Sequence, residues 1–154
     1  QDIAIIFQNY NLVPALPVLE NVTLPLRLSG KSVDSNKVKK MLDSLNFKAE
    51  LSSLVATLSG GEQQKVAITR AIIVDSKIIF ADEPTGALDS KSTQDLLKRL
   101  CKMNEKFDTT IIMVTHDPVA ASYSNRVVML KDGRIFTEIF QGEDDKQTFY
   151  NESR

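Results

Sequence analysis

Two hydrophobic rhythms run through this chain, and the change from one to the other marks its elements. Ile3 to Phe7 is a short unbroken apolar run, consistent with a buried strand that ends at Gln8. Asn9, Asn11, Pro14, Pro17 and Pro25 then break the chain into turns and a proline-interrupted helical piece around Leu19 to Leu28. From Asn36, the apolar residues Val38, Met41, Leu42 and Leu45 recur at helical spacing, with Asp34 or Ser35 placed to cap the helix they predict. Lys37, Lys39 and Lys40 on its other side read as a solvated face. Ser59 with Glu62 is a capping-box pattern opening a helix that runs to about Val74.

Beyond that helix the β rhythm returns. Lys77 to Asp82 predicts a strand that runs into the acid pair Asp82-Glu83, and Asp89 is placed to cap a helix in which Thr93, Leu96, Leu97, Leu100 and Met103 or Asn104 recur. Thr110 to Val114 is a β-branched strand, and Asp117-Pro118 supplies a cap and a first-turn proline for a short helix. Val127 to Leu130 and Ile135 to Phe140 flank Asp132-Gly133, a dipeptide that favours a two-residue hairpin turn. Strands alternating with helices predict an α/β fold with a parallel-strand core. The expected organisation is a core strand in residues 1–8, an inserted helical subdomain over 9–75, an α/β core over 76–140 and a polar tail over 141–154. A chain that opens directly on a buried strand is expected to be part of a longer one.

Composition narrows the functional classes. A 42% hydrophobic and 25% charged content over 154 residues suits one globular domain with a core. Nineteen basic against twenty acidic residues leave a formal charge of -1, so no overall field draws the chain to nucleic acid or anionic lipid. Cys101 is the single cysteine, which excludes an internal disulfide and fits a reducing compartment. Apolar runs such as Ile111 to Val114 fall far short of the roughly 20 residues that a membrane span needs. The opening QDIAIIFQ lacks the parts of a signal peptide.

The residues that carry chemistry cluster at predicted strand ends. Open α/β sheets bind ligands at the carboxyl ends of their strands, so Asp82 and Glu83 are delivered to a site. Neighbours on a strand point to opposite faces, which suits two jobs: Asp82 for magnesium, Glu83 for the attacking water of a hydrolysis. Alone, such a pair is equally an exposed acidic turn. Ser59-Gly60-Gly61 opens a helix whose first amides lack internal partners and whose glycines keep side chains out of the way, an arrangement that accepts a phosphate. His116, the sole histidine, follows the third predicted strand, where a ring nitrogen can donate to a terminal phosphate. Gln8, after the first, has an amide able to touch both metal and water.

The strings LSGGEQQKVAITRA at 58–71, IIFADEPTGALD at 78–89 and VTHD at 114–117 together resemble, in content and order, the ATPase subunits of ABC transporters. The resemblance extends over nearly the whole chain and implies the ABC ATPase head, a P-loop NTPase fold with an inserted helical subdomain. Gln8 resembles the Q-loop, Leu58 to Gln63 the signature motif, Ile78 to Glu83 the Walker B strand, Ala87-Leu88-Asp89 the D-loop, and His116 the switch histidine. The resemblance implies that Asp82, with Gln8, holds Mg2+, that Glu83 is the catalytic base, and that His116 contacts the γ-phosphate of ATP. It further implies that Ser59, Gly60 and Gly61, with Asp89 of the D-loop, meet ATP held by the opposite subunit of a head-to-tail homodimer. A transmembrane permease would be the partner, its coupling helix seated near Gln8 to Glu20. The location implied is cytoplasmic, peripheral on the inner face of the cell membrane, with no nucleic acid involved.

Within the family, VLENVTLPL and ADEPTGALDS resemble the exporter branch of lipoprotein-release and macrolide-export ATPases. KDGRIFTEIFQG with DKQTFY is similar to the bacitracin or antimicrobial-peptide resistance type. Pro17 stands where relatives usually carry Thr, Glu62 where many carry Gln, and Lys65 where Arg is usual. The glycine-rich Walker A loop that holds the β- and γ-phosphates is absent, so these residues alone are expected to bind ATP weakly and hydrolyse it negligibly, while the full-length parent does both. Two alternatives stand beside the transporter: an ABC-type ATPase without a membrane partner, and an inactive fragment of an ABC ATPase.

Overall fold

A computed structural model describes residues 3–141 of the chain, which divide between Val114 and Thr115 into two compact units. The expected tail, apart from Gln141, and the stretch DKQTFY lie outside the described residues.

The first unit is built on three parallel strands in the order β1-β2-β3: β1 (Ile3–Ile6), β2 (Ile78–Asp82) and β3 (Thr110–Val114). Ile6 pairs with Ala81 and Ala81 with Met113, so paired residues form rows that share one face of the sheet. Ala4, Ile6, Ile79 and Ala81 are buried on that face, with Ile111 and Met113 packed against the core. The other face carries Ile5, Phe80 and Ile112, exposed at 44%, 39% and 46%. The unbroken apolar run of β1 predicts a buried strand, yet it is covered on one side only. Among the described residues of this unit, helices supply the core against the buried rows and leave the second face uncovered.

Three helices separate β1 from β2: α1 (Val18–Leu28), α2 (Ser35–Asp43) and α3 (Gly60–Ile72), with a short 3-10 turn at Val55–Thr57 before α3. α1 is a single helix despite Pro25, because its buried residues Val18, Asn21, Val22 and Thr23 all precede the proline and fix the helix before the weak turn. Asn21, fully buried, also orders the loop ahead of it, accepting from the Val13 N–H and donating to the carbonyls of Val13 and Leu16. α2 buries the predicted Val38, Met41 and Leu42 and is capped by Asp34, whose carboxylate accepts from the Asn36 N–H at 2.9 Å. α4 (Ser90–Phe107) links β2 to β3, burying Leu96, Leu97, Leu100 and Met103.

The second unit holds α5 (Pro118–Ala121), capped by Asp117, and a hairpin of β4 (Arg126–Lys131) and β5 (Arg134–Phe140). Asp132 and Gly133 have φ of 51° and 73°, the two positive values that a type I′ turn requires and Asp-Gly supplies. Arg126 pairs with Glu138 across the hairpin and lies over the Phe140 ring. Among the described residues no helix is long and apolar enough to cross a membrane.

Candidate functional site

Two of the candidate segments leave the sheet at one edge. Gln8 lies two residues beyond Ile6, and Glu83 two residues beyond Ala81, its partner in the register. Gln8 is exposed in the turn closed by the Tyr10 N–H on the Phe7 carbonyl at 3.0 Å. Asp82 is the last residue of β2 and is exposed. Glu83 is not on the strand, which corrects the expectation that the two acids alternate on a pleat. Its φ of 46° is left-handed, a conformation that a residue without Asn or Gly chemistry holds only when its surroundings impose it.

Those surroundings are hydrogen bonds. The Glu83 N–H donates to the Val114 carbonyl at 2.9 Å, so the backbone stays tied to β3 for one residue beyond the strand. Its carbonyl then accepts from the Gly86 N–H at 3.2 Å and from Nε2 of Gln64 at 3.1 Å. Gln64 closes the loop with its other end, Oε1 accepting from the Ala87 N–H at 2.9 Å. At 2% exposure this amide is inside the protein, and it spans the Glu83–Ala87 turn from α3.

α3 reaches the edge at two further points. Arg70, whose guanidinium pKa is lowered by burial, donates to the carbonyls of Tyr10 and Asn11 at 2.7 Å each. Those two residues have φ of 62° and 46°, so Arg70 holds the left-handed loop that follows Gln8. At its start, Ser59 caps α3 by accepting from the Glu62 N–H at 3.3 Å. A Cβ on Gly61 would sit 2.7 Å from the Ala87 carbonyl oxygen, a backbone atom with nowhere to go, whereas one on Gly60 would meet only the Tyr10 hydroxyl at 3.6 Å. One of the two glycines is therefore demanded by packing inside this chain. Ser59 and Gly60 are exposed at the helix start.

The capping box is only half made. Glu62 turns instead to the Lys48 N–H and to Nζ of Lys65 at 3.1 Å, and Lys65 also donates to the Asn46 carbonyl. Glu62 and Lys65, which stand where Gln and Arg are expected, thus partner each other.

A family model described as ABC transporter matches residues 1–86. This chain belongs to the ABC transporter family. It is 47% identical over 150 residues to the bacitracin export ATP-binding protein BceA of Halalkalibacterium halodurans, covering 96% of this chain and 59% of that protein. Over 140 residues it is 46% identical to the macrolide export ATP-binding/permease protein MacB of Campylobacter jejuni, covering 90% of this chain and 22% of that one. The solved dimeric ABC transporter cassette MJ0796 matches with a TM-score of 0.83 at 38% identity, over 92% of this chain and 64% of the cassette. A second structure of that cassette is a post-hydrolysis state bound to ADP and Pi. The chain thus spans about three-fifths of the length of BceA.

The α/β architecture of the family is the one described above, with three parallel strands flanked by helices. Asp89 caps α4. Its carboxylate accepts from the Ser92 N–H at 2.9 Å and the Ser92 hydroxyl at 2.7 Å, which together hold it below the usual carboxylate range. His116 belongs to the second unit, two residues past the last residue of β3. Among the described residues no group of three or more His, Cys, Asp or Glu side chains converges on a metal position. Asp82 and the Gln8 amide offer hard oxygens, which fits a magnesium ion that takes one or two protein ligands and completes its shell with phosphate and water.

Sequence reasoning missed three features. Gln64 and Arg70 carry the geometry of the edge, but each is one polar residue within a helical pattern, and nothing in periodicity sets such residues apart. Gly30-Lys31-Ser32 reproduces the end of a phosphate-loop motif, yet it follows helix α1 instead of a strand. Gly30, at φ 71°, ends that helix, and the Lys31 N–H returns to the Leu26 carbonyl at 2.8 Å. The triplet is a helix stop.

Proposed function

We propose that this chain is the larger part of the ATP-hydrolysing subunit of an ABC exporter. The observation that supports this best is the joint origin of Gln8, Asp82 and Glu83 at one edge of the sheet, with α3 bonded to the loop behind each strand. Asp82 and Gln8 would hold Mg2+, which when bound screens the charge of the terminal phosphates. Glu83 takes the proton of the attacking water, and its backbone, fixed by Gln64, keeps the carboxylate from wandering. A positioned base of this kind contributes about 10²- to 10⁴-fold. His116 donates to the γ-phosphate.

The exposed α3 start, with Ser59, Gly60 and Gly61, presents unpaired amides to the γ-phosphate of ATP on a second subunit, and Asp89 stands at the adjoining D-loop. The working unit is therefore a head-to-tail homodimer, a reading favoured by the dimeric relative. A transmembrane permease carries the compound, and the likeness to bacitracin and macrolide exporters favours an antimicrobial compound as cargo. The ATPase then lies on the inner face of the cell membrane.

The test is Glu83→Gln in the full-length protein, with ATP turnover and nucleotide occupancy measured together. Turnover should fall by about 10²- to 10⁴-fold while occupancy persists. Undiminished turnover overturns the assignment.

A further inference from the structure

The first unit contains a concave feature away from the sheet edge, a groove of about 1190 Å³ between α2 and α4, floored by the chain that leaves α3. Met41, Ile72 and Met103 form its apolar base. Seven lysine or arginine side chains line it, against three aspartates. Of those acids, Asp34 is engaged in capping α2, and Asp75 faces one of the groove lysines, Lys37, at 3.9 Å. In a chain whose net charge is -1, this is a local surplus of four positive charges. The lysines of α2 read from sequence as a solvated face and are exposed, and Lys37 and Lys40 line the same groove as Arg99 and Lys102 of α4. Gathering like charges raises the energy of the free protein and is relieved by an anion.

A second observation is independent of charge. Ser76 lines the groove, is 2% exposed, and its Oγ is a buried polar side-chain atom with no hydrogen-bond partner among the described residues. Leaving a buried hydroxyl unpaired costs about 1–3 kcal/mol, so an orphan of this kind calls for an explanation. A hydroxyl can donate to an anionic oxygen. Arg99 is also prearranged: its Nη1 donates to the Ser44 hydroxyl at 2.7 Å, which holds the guanidinium at the groove.

We propose that the groove between α2 and α4 binds an anionic phosphate group, with Arg99, Lys40 and Lys102 meeting its oxygens and the Ser76 hydroxyl donating to one of them. Flexible lysines around a fixed guanidinium suit several phosphate oxygens better than one carboxylate. The phosphate can come from a soluble polyphosphorylated compound or from a lipid headgroup. Such a site lies outside the motif residues and would let an anion report to the ATPase through the helices that shape it.

The test uses the full-length protein with excess ADP present, titrated with inorganic tripolyphosphate by calorimetry, and sedimented in parallel with phosphatidylglycerol or phosphatidylcholine vesicles. Saturable binding to tripolyphosphate or selective binding to phosphatidylglycerol is expected, and whichever responds to groove variants names the source. Lys40→Glu with Lys102→Glu should weaken that binding by about tenfold or more, as expected for lost charge-assisted contacts. Ser76→Ala should weaken it about threefold or more with the melting temperature unchanged or raised, since the substitution removes an unpaired buried hydroxyl. If neither probe binds, or if binding is the same in wild type, the charge-reversed protein and Ser76→Ala, the proposal is overturned.

Discussion

The carboxyl edge of the sheet and the α2–α4 groove belong to one compact unit, yet they are built in opposite ways. At the edge, side chains are bonded to backbone: Gln64 spans the turn from Glu83 to Ala87, and Arg70 holds the loop after Gln8. In the groove, charged side chains line an open space and a buried hydroxyl waits without a partner. The first pattern suits chemistry that needs a fixed carboxylate. The second suits reversible binding of an ion whose shape is not read closely. The difference teaches that the loops carrying the candidate residues are held in place by side chains that no motif singles out.

The largest expected effect separates the two regions most sharply. Glu83→Gln in the full-length protein should lower turnover by about 10²- to 10⁴-fold, the range for loss of a positioned base. Lys40→Glu in the groove, assayed with no added anion beyond the nucleotide, should change turnover by less than about twofold, because an exposed substitution away from the edge perturbs the fold by only roughly 0.5 kcal/mol. Equal losses in the two variants would erase the distinction. Next in size is Gln64→Ala. It removes the bonds that the Gln64 amide makes to the Glu83 carbonyl and the Ala87 N–H, each worth about 0.5–1.5 kcal/mol. Thermal unfolding should show a loss of about 2 kcal/mol, and turnover should fall about tenfold with little change in KM, since a misplaced base affects the chemical step. A fall in stability with turnover intact would reduce Gln64 to a packing residue.

Much of the first region is legible in the sequence alone. The caps Asp34, Ser59, Asp89 and Asp117 each accept the backbone bond that their position implies, because a capping side chain acts within three residues of itself. The Asp132-Gly133 turn is local in the same sense. What escapes is non-local. Gln64 acts 23 residues away in sequence at Ala87, and Arg70 acts 59 and 60 residues away at Asn11 and Tyr10. The left-handed Glu83 escapes for the same reason, since its backbone is set by β3 and α3. The groove is unreadable because its charges come from helices that fold together only in space, and an overall charge of -1 conceals them.

A subtler break in the comparison is Gly61→Ala. The added methyl would lie 2.7 Å from the Ala87 carbonyl oxygen, so the start of α3 and the D-loop must part. Overpacking of this kind costs about 1–3 kcal/mol. The matched variant Gly60→Ala meets only the far end of Tyr10 at 3.6 Å and should leave the melting temperature nearly unchanged. If Gly61→Ala proved as stable as Gly60→Ala and the wild type, the close approach of α3 to Ala87 would carry no strain and packing would not explain the glycine.

The smallest effect is a matter of pH. The Ser92 N–H and hydroxyl favour ionised Asp89, so its folded-state pKa lies below that of the unfolded chain. For a depressed carboxylate the sign is fixed: the stabilisation is complete above the unfolded pKa and is lost as pH falls through the lower, folded one. Asp89→Asn keeps a capping oxygen but removes the charge. The gap in melting temperature between wild type and this variant should therefore be constant from neutral pH down to the ordinary carboxylate range, then close in stronger acid. Ser92→Ala, which removes the hydroxyl donor and keeps the N–H, should shift that closure toward higher pH. A gap that widens on acidification would mean that Asp89 is disfavoured as an anion, and the cap could not be the source of its lowered pKa. Because the carboxylate is exposed, added salt should narrow the gap at every pH, while the Gln64 effect, made of buried neutral bonds, should not respond.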